Sequence, residues 1–587
     1  MIMHTTNYFM LRNHFPQIQE GESFHVSIQE LANIFYCSDR YVKKIVKNLI
    51  QLGWIRWTSG RGRGNLSTIT FIETNGAVGF ITAKELSINN DISGALTFVL
   101  ENCPSIKDEF LSWLTQHLGY QHEQLDENNI DIFRFPHDRP ILTLDPMHAR
   151  TRAEMHIIKH VFETLVMYNE STGAIEPHLA HSWDIDESGT LWKFYIRKGV
   201  LFHNGDELTA EDVKNNFERI MSEGSAFKSL FRDVLEVKVL KRYTLQVLLS
   251  SPNYLFLDLL SRHLFSIVHK KSSSHFPTTN IIGTGPFKIE HATSEIVTLT
   301  AYHDYFFGRP FLDQVELHKL SNDQVRLFEQ YQFSVTYNTP SKSSQAELSR
   351  TEYGGMHLTF NLNKGGILQN HAFRKAIHHI IDRNELCNMG GKRYTPSSSF
   401  FPTYHLEDYE NSYSITKAKN LLRQASYNNE TISIYTYDKP YNNQDLLVIK
   451  DKCELAGINI STHVVSLETL FSKEIIETAD LILYPETFDE HAQYNIIQLL
   501  RDEQSVIYQF LSPDLKTWVE EHLNTIQHER DSRKKMTMIE SILEFFRDEY
   551  IILYLYHYKQ SVNIISRLSG LSLTSLGWVD FNKVYVR

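Results

Sequence analysis

The stretch Glu176–Val213, EPHLAHSWDIDESGTLWKFYIRKGVLFHNGDELTAEDV, constrains the fold more than any other part of the chain. It reads as a short helix start, a turn, a strand, a second turn and another helix start. Leu191, Phe194, Ile196 and Val200 mix with Trp192, Lys193, Tyr195 and Arg197, so one strand face can be buried and the other left polar. Asp186-Glu187-Ser188-Gly189 supplies the turn before that strand and Asn204-Gly205-Asp206 the turn after it. Thr209 is placed to cap the next helix, with Asp212 three residues on where a carboxylate closes a capping box. Alternating strand and helix signals of this kind indicate an α/β domain.

That domain cannot be the whole chain. With 587 residues, several cores of roughly 100–200 residues each are expected. The formal charge of −12 argues against nucleic acid binding over the whole surface. The charge is uneven, however: residues 1–75 hold eight Lys and Arg against five Asp and Glu, and the acidic excess lies entirely beyond them. A mildly basic head on an acidic body suits a DNA-binding module joined to something else.

The head reads as a winged helix-turn-helix over residues 1–75. A first helix is predicted around Thr6 to Phe15. Ser27 and Glu30 form a capping box for a second helix whose buried stripe is Leu31, Ala32, Ile34 and Phe35. Tyr36-Cys37-Ser38 makes a tight connection, and Ser38 is placed to cap a third helix from Asp39 to about Leu52. There Val42, Ile45, Val46 and Leu49 recur at helical spacing and face inward, leaving Arg40, Tyr41, Lys43, Lys44 and Lys47 outside. Gly53 ends the helix. Two strands follow, Trp54–Trp57 and Leu66–Phe71, joined by a Gly-rich loop in which Arg61 and Arg63 can neutralise phosphates. A solvated basic helix beside a flexible loop would use the same residues, but the order of helix pair, tight turn, basic helix and basic wing favours double-stranded DNA. The third helix is expected in the major groove and the wing along the flanking backbone.

Residues 76–128 are expected to form a helical connector, with Ile106, Phe110, Leu111, Trp113, Leu114 and Leu118 on one amphipathic helix. A spacer, a dimer contact and a transmitter all remain open for it. The four cysteines are widely separated and contain no C-x-x-C pair, so they read as buried thiols, without a zinc site or disulfide framework. No metal or cofactor is expected. The first residues lack a basic n-region, an apolar h-region and a cleavage site, and no run of ~20 apolar residues occurs, so no membrane contact is expected. A cytoplasmic location follows as an expectation. There is no P-loop, G-x-S-x-G, H-E-x-x-H or Rossmann fingerprint, so no catalytic residues are expected.

Two resemblances sharpen this reading. The Glu176–Val213 wording closely resembles the signature of the family 5 extracellular solute-binding proteins, the oligopeptide- and nickel-binding components of ABC importers. Ile141–Pro146, Glu163–Tyr168, the Gly283–Phe287 turn, Tyr302–Asp313, Phe360–Asn363, Phe373–Arg383 and Ala418–Leu422 resemble further motifs of that family. Here His303 stands for the family's usual asparagine and Phe306 for its tryptophan. The segment Leu31–Phe71 resembles the DNA-binding domain of SgrR-type bacterial transcription regulators, in which such a head precedes a cytoplasmic family 5 domain. The resemblance implies a two-lobed, type II periplasmic-binding-protein-like body. The first lobe is expected over 130–354, with 555–587 returning to it, and the second over 355–554.

The same resemblance implies a small-molecule effector, a sugar or sugar phosphate ahead of a short peptide. Peptide-binding members anchor the ligand's amino group with an aspartate after a tryptophan; the corresponding run here, Ile482–Asp489, has no tryptophan and places Thr487 near that position. Trp183, Arg393, Tyr394 and Tyr484 are candidate ligand residues, aromatics for a sugar face and arginine for a phosphate. The chain is thus read as a ligand-responsive regulator with promoter DNA, an effector and RNA polymerase as candidate partners. The alternative is an importer-type solute-binding protein for oligopeptides or sugars. Oligomeric state is left open.

Overall fold

The computed structural model describes residues 2–60, 66–125, 128–137, 141–149, 151–170, 172–222, 228–273, 277–329, 347–389, 394–563, 568–575 and 577–586. The chain forms two units, one of Met1–Pro140 with 290–299 and 313–334, the other of 141–289, 300–312 and 335–587. The expected segmentation differs from this division: the connector and three stretches of the body's sequence, 130–140, 290–299 and 313–334, fall within the head's unit.

The head contains helix α1 (Ile2–His14), strand β1 (Ser23–Val26), α2 (Ile28–Ile34), α3 (Asp39–Gln51) and strands β2 (Ile55–Thr58) and β3 (Ser67–Phe71). The strands form one sheet in the order β1-β3-β2. Its core is the predicted stripe: Leu31, Val42, Ile45, Val46 and Leu49 pack with Tyr8, Leu11, Trp54, Ile69 and Phe71. Helix α1 begins one turn earlier than expected. Strand β1 has no counterpart in the sequence reading, because its four residues, SFHV, are too few to set a period. Ser27 accepts the Glu30 N–H at 3.1 Å, one half of the expected capping box. Ser38 holds the extended N-cap conformation of α3, but its hydroxyl makes no cap bond. At the other end, Gly53 takes φ +76°, its N–H bonds the Ile50 carbonyl and the Trp54 N–H bonds Leu49, both at 3.0 Å. That paired closure requires a residue able to adopt the left-handed region.

Helices α4 (Asn75–Ile88), α5 (Ile92–Asn102) and α6 (Lys107–His117) form the connector. The chain then turns into a hairpin, β4 (Gly119–Leu125) and β5 (Asn128–His137), so the connector's polar C-terminal end is strand.

The body opens with α7 (Arg152–Val161). Strands β6 (Val166–Asn169), β7 (Ala174–Pro177), β8 (Ala180–Ile185) and β9 (Leu191–Ile196), α8 (Ala210–Met221), β10 (Val234–Lys241), β11 (Thr244–Leu249) and α9 (Phe256–Leu260) follow. The expected helix start at Glu176 is instead strand, β7 paired with β6 and β8 paired with β9. Asp186 accepts the N–H groups of Thr190 (3.0 Å) and Leu191 (2.9 Å), fixing the predicted turn into β9. Trp192, Phe194 and Ile196 face the core and Leu191 is half-buried, so the inward face of β9 includes Trp192 in place of Leu191. Asp212 receives the Thr209 N–H at 2.9 Å, closing the predicted box on α8. These elements enclose one apolar core around Phe194, Phe202, Val213, Phe217 and Leu245.

Next come β12 (Phe287–Ala292), β13 (Ile296–Ala301), β14 (Gln314–Lys319), α10 (Asn322–Glu329), β15 (Glu347–Thr351), β16 (Gly354–Phe360), β17 (Tyr394–Pro396), β18 (Ile432–Tyr437), β19 (Ile460–Val465), β20 (Leu481–Thr487) and β21 (Ile552–Asn563). Five strands join as β12-β13-β14-β5-β4, with β14 parallel to β5. A larger sheet runs β15-β21-β16-β20-β18-β19, with β17 against β21. Strand β16 is buried along its whole length, and helices His371–Ile380, Pro440–Ala456 and Ser532–Asp548 contribute to a second, larger apolar core around this sheet. Among the described residues no helix is long and apolar enough to cross a membrane. Cys103, Cys387 and Cys453 are buried thiols, whereas Cys37 is half-exposed at the head's tight turn.

Strand β16 is entered through Gly354 (φ +91°) and Gly355 (φ +136°), and a Cβ on Gly355 would lie 2.3 Å from the Tyr556 carbonyl oxygen. Gly355→Ala therefore combines backbone strain with overpacking and should lower unfolding stability by about 3 kcal/mol or more. Gly365→Ala, which meets nothing within 4 Å, should change it by less than about 0.5 kcal/mol. Urea unfolding of both variants checks this contrast.

Candidate nucleic-acid interface and ligand cleft

Burial of Val42, Ile45, Val46 and Leu49 against the head's core fixes the rotation of α3 and leaves Arg40, Tyr41, Lys43, Lys44 and Lys47 all exposed. The Lys44 ammonium lies 5.8 Å from the centre of the Tyr41 ring. None of these four cations is ion-paired to another described residue, so their charge is available to an outside anion. Arg61 and Arg63 lie outside the described residues. Arg56, exposed on β2 in the same head, adds a cation that the sequence reading passed over. Strand alternation between buried Ile55 and half-buried Trp57 would have pointed to it. Tyr36, at the α2–α3 turn, has φ +49° and is 87% exposed, an aromatic left outside the core by the turn it occupies.

In the body, several charged and polar side chains join segments that are far apart in sequence. Arg152 of α7 makes a bidentate contact with Glu352 (2.7 and 2.5 Å) and donates to the Thr487 hydroxyl at 3.2 Å. Glu352 is 3% exposed and also receives the Gln560 amide. Lys159 grips both oxygens of Glu490. Arg262 bonds the Gln498 side chain and lies 3.8 Å from Asp489, with His263 at 3.9 Å from the same carboxylate. Burial opposes ionisation of Asp489, but the Arg262 guanidinium, His491 and Lys159 outweigh it and hold the carboxyl below its usual range. Burial drives His263 the other way, toward the neutral ring. Lys535 reaches Asp258 (3.6 Å) and the Tyr254 carbonyl (3.0 Å). The ring of Tyr494 packs on both cores.

Of the four candidate ligand residues, three lie among the described residues, on three different strands. Trp183 is half-buried on β8, opposite Phe194, and packs on the first core. Tyr394 is 8% exposed on β17, stacked on Tyr556 at 4.2 Å and edge-on to Tyr558 at 5.4 Å. Tyr484, on β20, is half-buried with Tyr437 at 5.7 Å and Phe471 at 5.4 Å. Arg393 lies outside the described residues. Among the described residues no contact joins Trp183 to Tyr394 or Tyr484.

A carboxyl is the feature the sequence reading missed. Glu486 shares the Tyr484 face of β20, two residues on, and has no cation beside it among the described residues. Burial pushes its carboxyl up to about 8, assisted by Asp502. Thr487, on the opposite face, is taken by Arg152. Asp445 is more deeply buried than the half-buried Glu486, receives the Tyr556 hydroxyl at 2.5 Å, and is pushed up to about 7 by desolvation. Tyr484 and Glu486 thus share one half-buried strand face, whereas Asp445 and Tyr556 are enclosed in the core.

Comparison with known proteins places this architecture. Residues 174–503 match the model for bacterial extracellular solute-binding proteins, family 5 Middle. The chain belongs to that family. Residues 4–124 match the model described as sugar transport-related sRNA regulator N-term, so a family 5 body is joined to an SgrR-type N-terminal domain. An uncharacterized protein of Bacillus subtilis, YhjP, is 28% identical over 572 residues, covering 96% of each chain. The HTH-type transcriptional regulator SgrR of Photorhabdus laumondii is 23% identical over 590 residues, covering 97% of this chain and 96% of the relative. Among solved structures, NikA from Brucella suis in complex with Fe(III)-EDTA is similar with TM-score 0.65 and 18% identity, over 77% of this chain and all of that one. HbpA2 from Haemophilus parasuis gives TM-score 0.64 and 20% identity, over 78% of this chain and all of that one. The last two show the fold alone, a type II periplasmic-binding-protein body.

The raised Glu486 carboxyl makes a pH-dependent stability prediction. An unfolded glutamate titrates near about 4.3. Below that pH the group is protonated in both states and contributes no penalty. As pH rises toward 8 the unfolded state releases its proton while the folded state retains it, so stability falls over that window. Glu486→Gln should therefore lose less stability than wild type between pH 5 and pH 8 in urea unfolding. Equal losses would contradict the assignment.

Proposed function

We propose that this protein is a cytoplasmic, ligand-responsive transcription regulator. Its winged helix binds promoter DNA through α3, and the cleft of its family 5 body takes a small solute, a sugar or sugar phosphate. The observation that carries the DNA half is the exposed set Arg40, Lys43, Lys44 and Lys47, on one face of a helix whose other face is locked into the core. Exposed cations without acidic partners are what phosphate neutralisation with counterion release requires. Named SgrR regulators among the relatives support the same reading. RNA polymerase is a candidate partner at the promoter.

For the effector, Tyr484, Tyr437 and a protonated Glu486 suit the ring and hydroxyls of a sugar. They suit an uncharged sugar more directly than a phosphate placed against the same carboxyl. A second reading, a ligand bearing an amine such as a short peptide, is supported by that carboxyl's lack of a cation among the described residues. Ligand that binds both lobes would favour their closure, because the groups joining distant segments of the body are charged and polar and can exchange partners.

The DNA half is tested by titrating the full chain against a duplex from upstream of its own gene at several salt concentrations. Lys43→Ala/Lys44→Ala should weaken binding at least tenfold at low salt and reduce the salt slope by about 2, one for each phosphate no longer neutralised. Lys473→Ala, exposed on the body, should leave both unchanged. Wild-type binding no tighter than to random duplex would sink the regulator reading.

A further inference from the structure

The body's sequence contributes a strand and a helix to the head's unit, and one side chain ties them to the connector. Residues 313–334 lie in sequence between parts of the body, yet belong to the unit formed by residues 1–140. Their strand β14 runs parallel to β5. Across this pairing Arg134 bridges Glu316 (2.7 Å) and Glu123 (2.6 Å), linking β14, β5 and β4 through a buried guanidinium. Helix α10 follows, and Gln324 in its first turn is 6% exposed.

Gln324 performs two separable roles. Its Oε1 accepts the Ser321 N–H at 3.0 Å while Ser321 Oγ accepts the Gln324 N–H at 3.2 Å, a reciprocal capping box at the start of α10. Its Nε2 donates to the Ser93 carbonyl (2.9 Å) and the Thr97 hydroxyl (3.1 Å), and Ser93 Oγ donates back to Oε1 (3.1 Å). Ser93 and Thr97 are one helical turn apart on α5, so the amide spans two anchor points on one face. The cap needs only the acceptor oxygen. Two of the three bonds to α5 need the N–H donors.

The chain passes between the two units five times, at 140/141, 289/290, 299/300, 312/313 and 334/335. The sequence of β14 and α10 is thus joined to the body's at 312/313 and at 334/335. We propose that α10 transmits the body's state to the head, with Gln324 as the positioning residue that fixes α10 to α5. This inference rests on the regulator reading above. It assigns the connector the role of transmitter among those its sequence left open.

The test uses hydrogen exchange of the full chain, with Gln324→Glu as the discriminating variant. Glutamate retains the acceptor that caps α10 and receives the Ser93 hydroxyl, but cannot donate to the Ser93 carbonyl and the Thr97 hydroxyl, so two of the three bonds to α5 are lost while the cap remains. Amides of residues 322–325 should exchange at least tenfold faster in Gln324→Glu than in wild type, with those of α3 unchanged. Exchange within twofold of wild type would overturn the tie. A saturating 40-base-pair duplex from the upstream region should then slow exchange at 322–325 in wild type. In the variant it should bind within twofold of wild-type affinity and leave those amides unaltered. Equal slowing in both proteins, or slowing in neither, would overturn the transmission role. A wild type that binds no duplex specifically identifies a failure of the regulator reading, and the duplex-free comparison still decides whether the tie exists.

Discussion

The body depends on the backbone approach at Gly354 and Gly355. A side chain at either position would meet main-chain atoms of Glu486 or Tyr556 at less than 2.5 Å. Only with hydrogen there can β16 pair with β20 on one side and β21 on the other, buried along its whole length. That pairing sets the register of both neighbours. It places Glu486 opposite Gly355, Tyr484 opposite His357 and Tyr554 on the far side. Glu352, two residues before the glycines, is brought to Arg152 by the same turn.

The contrast between the two cores and the ion pairs of the body has a functional meaning. Each core is dense with Leu, Ile and Phe, while Arg152, Lys159, Arg262, Asp489, Glu490 and Lys535 form ion pairs between segments distant in sequence. Apolar packing of that size would resist separation. Ion pairs that are partly desolvated contribute little net stability, although removing one partner costs about 3–5 kcal/mol. Such pairs specify a closed geometry without making it irreversible. A solute that supplies or satisfies polar groups there has a physical means of favouring one arrangement.

How much of this was readable in sequence depended on the range of the interaction. Local signals were reliable: the Asp186 turn, the Thr209–Asp212 box, Gly53 and the inward stripe of α3 are all set by neighbours a few residues apart. Family 5 membership rested on such turn and cap residues, which identify a fold. Features decided by distant neighbours were not legible. Trp192 turns inward because β11 and the helix at Phe256 lie against it. Ser38 sits at a cap position without bonding, since side-chain geometry decides that bond. Glu486 resembles any strand glutamate until burial is known. The candidate ligand residues were selected by residue type, and the fold puts Trp183, Tyr394 and Tyr484 on three different strands. The inclusion of residues 313–334 in the head's unit has no sequence signal, because Gln324 meets Ser93 across 231 positions.

The central claim is that solute binding in the body and DNA binding by the head share one equilibrium. Linkage requires that an effector and DNA alter each other's affinity by the same factor, typically about 5–150-fold for a working switch. The most direct measurement is the affinity of the full chain for its upstream duplex, with and without each sugar, sugar phosphate and short peptide that raises its melting temperature. The account predicts that at least one such stabilising solute shifts duplex affinity at least fivefold, and that saturating duplex shifts the affinity for that solute by the same factor. A solute that binds the body tightly and leaves duplex affinity unchanged would contradict it.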